Sequence, residues 1–268
     1  GYWYVVMLSL IDFSVAARVG PLSAFVSAGQ HIALLGPNGS GKSSLLLGMA
    51  GLIPSSGNVL LEQQNTAQWT MQYAAVKRAM LPQRTNHLLP ISCHQVITLG
   101  ASPLKKNESA IQKAIEQICE RLELTDYLKR DFSQLSGGEQ QRILLAKTLL
   151  QVWPELNPDA RLLLLDEPLA GLDWHHQISL LNLLNELKQR GIIIITSIHD
   201  FNLAVAHCDT IWCLQNGELV FSDVKEQFNE HLIEQVFHLK TICSQVNGQP
   251  LFIPWQVCNG NTQQRNSQ

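Results

Sequence analysis

The sequence predicts an α/β protein with a mostly parallel sheet, and three observations lead there. Strand-sized apolar segments alternate with helical patterns, a glycine-rich phosphate-binding spacing joins one strand to a helix, and a long middle stretch has helical spacing without a strand candidate. The strand candidates run near Val5 to Ile11, Gln30 to Leu35, Arg161 to Asp166, Ile192 to Ser197 and Thr210 to Gln215. The first belongs to the opening run GYWYVVMLSL. That run has no basic segment ahead of its apolar residues, so it is expected to be an edge strand and not a signal peptide.

Residues 34 to 46 read LLGPNGSGKSSLL. The apolar run from Gln30 to Gly36 is short enough for a buried strand, and SSLLLGMAG has helical content, so the stretch is strand, loop and helix. Gly36 and Gly41 bracket Pro37, Asn38, Gly39 and Ser40, with Lys42, Ser43 and Ser44 following. This is the GxxxxGK[ST] spacing, in which glycines let backbone N–H groups converge on phosphate oxygens at a helix N-terminus. Lys42 then brings a mobile positive charge to the outer phosphates, and the Ser43 hydroxyl can ligate Mg²⁺.

Between Gln83 and Leu135 the pattern becomes helical. ESAIQKAIEQICERLELTDYLKR repeats Ile111, Ile115, Ile118 and Leu122 at helical spacing, so residues 84–150 or thereabouts are expected to form an all-helical insertion. At its end, QLSGGEQQRILLAKTLLQ opens on Ser136, Gly137, Gly138 and Glu139. Small residues at a helix start can form a second anion site, although an ordinary helix start has the same look. Downstream, RLLLLDEPLAGLD places four leucines ahead of Asp166 and Glu167, as in a buried strand that emerges with two carboxylates at its C-terminal end. There Asp166 would hold Mg²⁺ and Glu167 would polarise an attacking water; adjacent acids at a strand end also occur in plain ion pairs.

Composition narrows the classes. With 268 residues, 46% apolar and 15% charged, the chain can bury a real core, and a net charge of −3 gives no basic signature for nucleic acid. No apolar run reaches the roughly 18 residues needed to span a bilayer, so a cytoplasmic product is expected. Cysteines at 93, 119, 208, 213, 243 and 258 form no C-x-x-C pair, and the histidines show no H-x-x-x-H spacing. Reduced thiols and no zinc site follow. The last ten residues, NGNTQQRNSQ, have nothing apolar to bury and are expected to be a disordered tail (259–268), which leaves 1–258 as the folded unit.

GPNGSGKSS, Gln83 at the end of MLPQ, LSGGEQQR, LLLLDEP, GLD at 171–173 and SIHD ending in His199 and Asp200 together resemble the ATP-binding cassette (ABC) ATPases, in matching order over nearly the whole chain. The resemblance implies a P-loop NTPase (RecA-like) core with an antiparallel β edge and an all-helical signature subdomain. It implies ATP and Mg²⁺ as ligands, Mg²⁺ being held by Ser43, Gln83 and Asp166, with Gln83 also linking the site to a membrane partner. It further implies a head-to-tail dimer in which Ser136, Gly137, Gly138 and Glu139 of one copy face the ATP of the other. Asp173 would contact the opposite subunit, and His199 would reach the γ-phosphate beside the catalytic Glu167.

Within the family, the compact start ARVGPLSAFVSAGQ and the long connection in QVWPELNPDARLLLLDEP resemble the ATPases of vitamin B12 importers, with those of iron-siderophore and haem importers as alternatives. The implied partners are a second copy, two transmembrane permease subunits and, indirectly, a periplasmic binding protein, at the cytoplasmic face of the membrane. A soluble cassette ATPase acting on DNA or ribosomes is the rival class. Its usual marks, a long coiled-coil insertion or two cassettes in one chain, are absent from this sequence. Two departures stand out. The aromatic on which such ATPases stack adenine is missing, Phe13 being three residues early and read as either core or stacking residue, and Ser44 replaces the usual Thr.

Overall fold

The computed structural model describes residues 6–83 and 90–258, so the expected tail at 259–268 and the first part of the helical insertion, 84–89, lie outside the described residues. β1 (Val6–Val15) buries Leu8, Leu10, Phe13 and Val15 at near-alternate positions, with a register break at Asp12, whose φ is 48°. It pairs antiparallel with both β2 (Val19–Ser27) and β4 (Ser56–Leu61), and β5 (Gln64–Asn65) completes a four-stranded sheet of order β2-β1-β4-β5. The expected edge strand is therefore an inner one. Alternation reports one buried face, which inner and edge strands of a one-sided antiparallel sheet share, so the pattern could not separate them. The edges are β2 and β5, and the edge position of β2 tolerates Pro21.

The second sheet carries the site. β3 (His31–Leu35) is buried at all five positions and runs parallel to both β8 (Ile193–Ser197) and β9 (Thr210–Gln215). β7 (Leu162–Leu165) lies between β8 and β6 (Arg78–Leu81), and β10 (Glu218–Val224) pairs antiparallel with β9, giving the order β10-β9-β3-β8-β7-β6. Continuous apolar strands are what a sheet covered on both faces requires. Ile32 and Leu34 pack with α1 (Lys42–Met49) and the antiparallel sheet, whereas Ala33 and Leu35 face the other core, with α6 (Trp174–Gln189) and the central helices.

Those central helices are α3 (Cys93–Thr98), α4 (Glu108–Arg121) and α5 (Gly137–Gln151), started by the side-chain caps Ser92, Asn107 and Ser136. Ile115 and Ile118 of α4 are fully buried in their shared core, and among the described residues from 93 to 151 there are helical segments and one isolated bridge, Ser92 with Asp131. Besides α2 (Met71–Lys77), the chain adds α7 (Phe201–His207), α8 (Glu230–Phe237) and a hairpin of β11 (Leu239–Val246) and β12 (Gln249–Val257). The hairpin was not anticipated; its residues alternate only loosely, and Ile242, Ile253 and Trp255 are exposed. Among the described residues no helix is long and apolar enough to cross a membrane.

One buried group makes stability depend on pH. His31 is wholly buried, its Nε2 lies 2.9 Å from Thr196 Oγ1, and burial pushes its pKa down to about 3 against the weaker opposing pull of Asp209. Below pH 6.5 the unfolded chain takes up a proton that the folded chain refuses until about pH 3. Stability should therefore fall progressively as pH drops from 6.5 towards 3, by about 2 kcal/mol at pH 5 from this group. Urea unfolding at pH 7 and pH 5 measures the loss, and His31→Val should shrink it; an equal loss in the variant would assign the acid sensitivity to other groups.

Candidate functional site

The loop from β3 to α1 is shaped by two glycines. Gly36 has φ 152°, and a Cβ there would stand 2.3 Å from the Leu214 carbonyl; Gly41 has φ 106°, and its Cβ would stand 2.9 Å from the Arg18 carbonyl. Only glycine fits either position. Ser40 N donates to the Pro37 carbonyl at 3.2 Å, which closes the turn. Lys42, the first residue of α1, is 7% exposed, and its Nζ donates to the carbonyls of Gly36 (2.7 Å) and Pro37 (3.1 Å). Burial lowers its pKa while the charges of Glu167 and Asp166 pull it back up.

A cleft of about 720 Å³ opens over this loop. It is lined by Asn38, Gly39, Gly41, Lys42, Ser43 and Ser44 of the loop and α1, by Gln83, Glu167 and His199, and by Ala17, Arg18, Asn216 and Gly217. That volume suits a mononucleotide. Asp166 sits just past β7, 1% exposed; its Oδ1 accepts from Ser197 Oγ at 2.7 Å, while its Oδ2 is buried with no partner. A buried carboxylate oxygen without a donor is costly unless a cation faces it. Ser43 and Gln83 line the cleft and Asp166 is buried next to the cleft residue Glu167, and hard oxygen donors of this kind suit Mg²⁺. Glu167 follows in a left-handed conformation (φ 51°), and its Oε1 lies 2.9 Å from His199 Nε2. Two strand ends thus set the expected acid and histidine side by side.

Ser136, Gly137, Gly138 and Glu139 stand elsewhere. None of them lines the cleft. Ser136 caps α5 in a reciprocal box: Glu139 N donates to Ser136 Oγ (3.4 Å) and Ser136 N donates to Glu139 Oε2 (2.7 Å). The hydrogen bonds from Ser136, side chain first, hold the Glu139 carboxyl below its usual range. Gly138 faces the Gly171 carbonyl, which a Cβ would meet at 3.5 Å. Asp173 caps α6 by accepting from His176 N (2.9 Å), and it lines a second cleft of about 430 Å³ that shares Glu167 and His199 with the first.

Phe13 is 1% exposed and packs against Gly48 of α1, where a Cβ would come within 2.9 Å of its ring. It is core, and it is not on the cleft. Reading from the sequence also missed Arg18, the Asn216-Gly217 turn and Ser197. Asn-Gly between two strands is a hairpin signal that was available; Arg18 and Ser197 carry no local signal, since only tertiary folding brings them to the site.

The ABC transporter family profile matches residues 19–170. A protein named vitamin B12 import ATP-binding protein BtuD, from Yersinia pseudotuberculosis, is 40% identical over 236 residues, covering 88% of this chain and 93% of the relative. The protein of the same name from Pectobacterium atrosepticum is 42% identical over 213 residues, covering 80% and 85%. Among solved structures, an ATP-binding subunit of an ABC transporter aligns with a TM-score of 0.71 at 23% identity, covering 87% of this chain and 94% of that one. Clostridium perfringens cbiO1, part of the ABC transporter complex cbiONQ, aligns with a TM-score of 0.68 at 23% identity, covering 87% and 92%. At those identities the structures speak for the fold alone.

Proposed function

Because the chain belongs to the ABC transporter family, as one of its ATP-hydrolysing subunits, we propose that it drives the import of vitamin B12 across the cytoplasmic membrane. The observation that carries the activity is one cleft holding Lys42, Glu167 and His199 beside the buried Asp166. The cargo rests on the relatives named for vitamin B12 import.

The phosphates of ATP lie along the loop, where the N–H groups of residues 39 to 43 and the start of α1 face them. Lys42 turns its Nζ from the Gly36 and Pro37 carbonyls to the outer phosphate oxygens. Glu167 takes the proton of the attacking water, and His199 orients that carboxylate and contacts the γ-phosphate. Asp166, Ser43 and Gln83 would hold Mg²⁺, which when bound neutralises charge on the outer phosphates.

The remaining phosphate contact comes from a second copy, whose Ser136, Gly137, Gly138 and Glu139 close over the ATP, with Asp173 at the same seam. Two permease subunits convert that closure into transport, Gln83 relays it, and a periplasmic binding protein delivers the cargo. The chain works at the cytoplasmic face of the membrane as a peripheral subunit without nucleic acid. Its domain takes in the described residues 6–83 and 90–258, with the helical insertion running through the described residues to about 150. Reconstitution in vesicles with the permease subunits that co-purify with it tests the cargo: ATP-dependent uptake of cobalamin is expected, and uptake of an iron-siderophore or haem instead would reassign it.

Base recognition should be weak. Stacking on an aromatic is worth about 1 to 3 kcal/mol where it occurs, and among the described residues no Phe, Tyr or Trp lines this cleft. ATP and GTP should therefore be hydrolysed with kcat/KM values within about tenfold, a gap of no more than roughly 1.4 kcal/mol. Phe13→Ala should reduce stability and leave nucleotide affinity nearly unchanged. A strong ATP preference that disappears in Phe13→Ala would show that the ring reaches the base.

A further inference from the structure

We propose that Ser197 is a positioning residue for ATP hydrolysis, its single hydroxyl orienting both the carboxylate of Asp166 and the backbone that carries Glu167. The proposal rests on the reading of the cleft as an ATPase site. Ser197 closes β8, is 1% exposed and does not itself line the nucleotide cleft. In the sheet, Leu165 is in register with Thr196, so Asp166 and Ser197 are the next residues along two neighbouring parallel strands.

The direction of each hydrogen bond is fixed by chemistry. Glu167 N can only donate, and it does so to Ser197 Oγ at 2.7 Å. The hydroxyl's one proton is then free for Asp166 Oδ1, also at 2.7 Å. Two consequences follow. Oδ1 is engaged, which leaves Oδ2, the oxygen without a partner, as the one presented to a cation. Glu167, meanwhile, is held at φ 51°, a conformation uncommon for a residue with a side chain, and the Ser197 oxygen anchors its N–H there. Its carboxylate accordingly comes to 2.9 Å from His199 Nε2.

The hydroxyl is thus shared between the metal-facing acid and the proton-accepting acid, and losing it should loosen both without touching the phosphate loop. Removing a group that positions a reacting side chain costs up to about 10²-fold in rate.

Three measurements on Ser197→Ala and Ser197→Thr test this: ATP affinity in EDTA, ATP affinity in Mg²⁺, and steady-state hydrolysis, with thermal midpoints alongside. In Ser197→Ala, affinity in EDTA should stay within about twofold of wild type, since the loop is intact. The gain in affinity on adding Mg²⁺ should shrink about fivefold or more, with KM for ATP in Mg²⁺ rising by about the same factor, and kcat should fall roughly 10- to 100-fold. Ser197→Thr keeps the hydroxyl and should return kcat to within about threefold.

A wild-type kcat and Mg²⁺ response in Ser197→Ala would overturn the proposal. So would an equal loss of affinity in EDTA, which would mean general damage to the site, or a threonine variant as impaired as the alanine one at an unchanged thermal midpoint. A wild-type protein that hydrolyses no ATP would instead overturn the ATPase reading, and this proposal with it.

Discussion

Glu167→Gln should bind ATP as the wild type does and turn it over at least about 10²-fold more slowly. The substitution keeps the side chain's size. The amide oxygen can still accept from His199 Nε2, and the backbone N–H still donates to Ser197 Oγ, so the geometry at φ 51° is retained. What disappears is the basic oxygen proposed to take the proton of the attacking water. The phosphate-binding loop and Lys42 are untouched, and binding survives. Blocked after binding, the variant should accumulate as an ATP-bound dimer, seen as an ATP-dependent shift in gel filtration. Turnover at the wild-type rate would place the proton acceptor on another residue.

Ser136→Arg should abolish hydrolysis, to below about 1% of wild type, while ATP still binds. Within one chain, residues 136 to 139 do not line the cleft, so an arginine there leaves the chain's own loop intact. In a head-to-tail pair the same side chain intrudes where the partner's γ-phosphate docks. The variant also loses the Ser136 cap of α5, a cost of about 1 kcal/mol that Ser136→Ala measures without the bulk. Mixing is the sharper arm. A pair made of one Ser136→Arg copy and one Lys42→Ala copy carries one undamaged site and one doubly damaged site if the sites are shared between chains. If each site lies within one chain, the Ser136→Arg copy keeps its own cleft intact and stays active without mixing. Recovery of activity on mixing is expected; its absence, with pairing shown by gel filtration, would confine each site to one chain.

The parts legible in the sequence are those whose physics is local. Leu162–Leu165 and Ile193–Ser197 read as buried strands because a sheet covered on both faces takes unbroken apolar runs, and the phosphate loop reads from its glycines and lysine alone. β2 escaped notice because Gly20 and Pro21 interrupt it, and β6 because four residues are too few to show a period. The same division runs through the site. Lys42, Asp166 and Glu167 announce themselves by their neighbours in sequence, whereas Ser197 lies at the end of an isoleucine run and is distinguished only by what stands across from it on β7.

The four leucines of β7 have a consequence before the protein is folded. Such a run, emerging from the ribosome or exposed in an unfolded chain, is a segment prone to pair with copies of itself. Arg161 stands at one end of it and Asp166 with Glu167 at the other, and flanking charges of this kind oppose stacking of chains in register. The two acids at the C-terminal end of the strand therefore also stand in the position of flanking charges that oppose such pairing, and a variant that neutralises one of them leaves fewer charges beside the run.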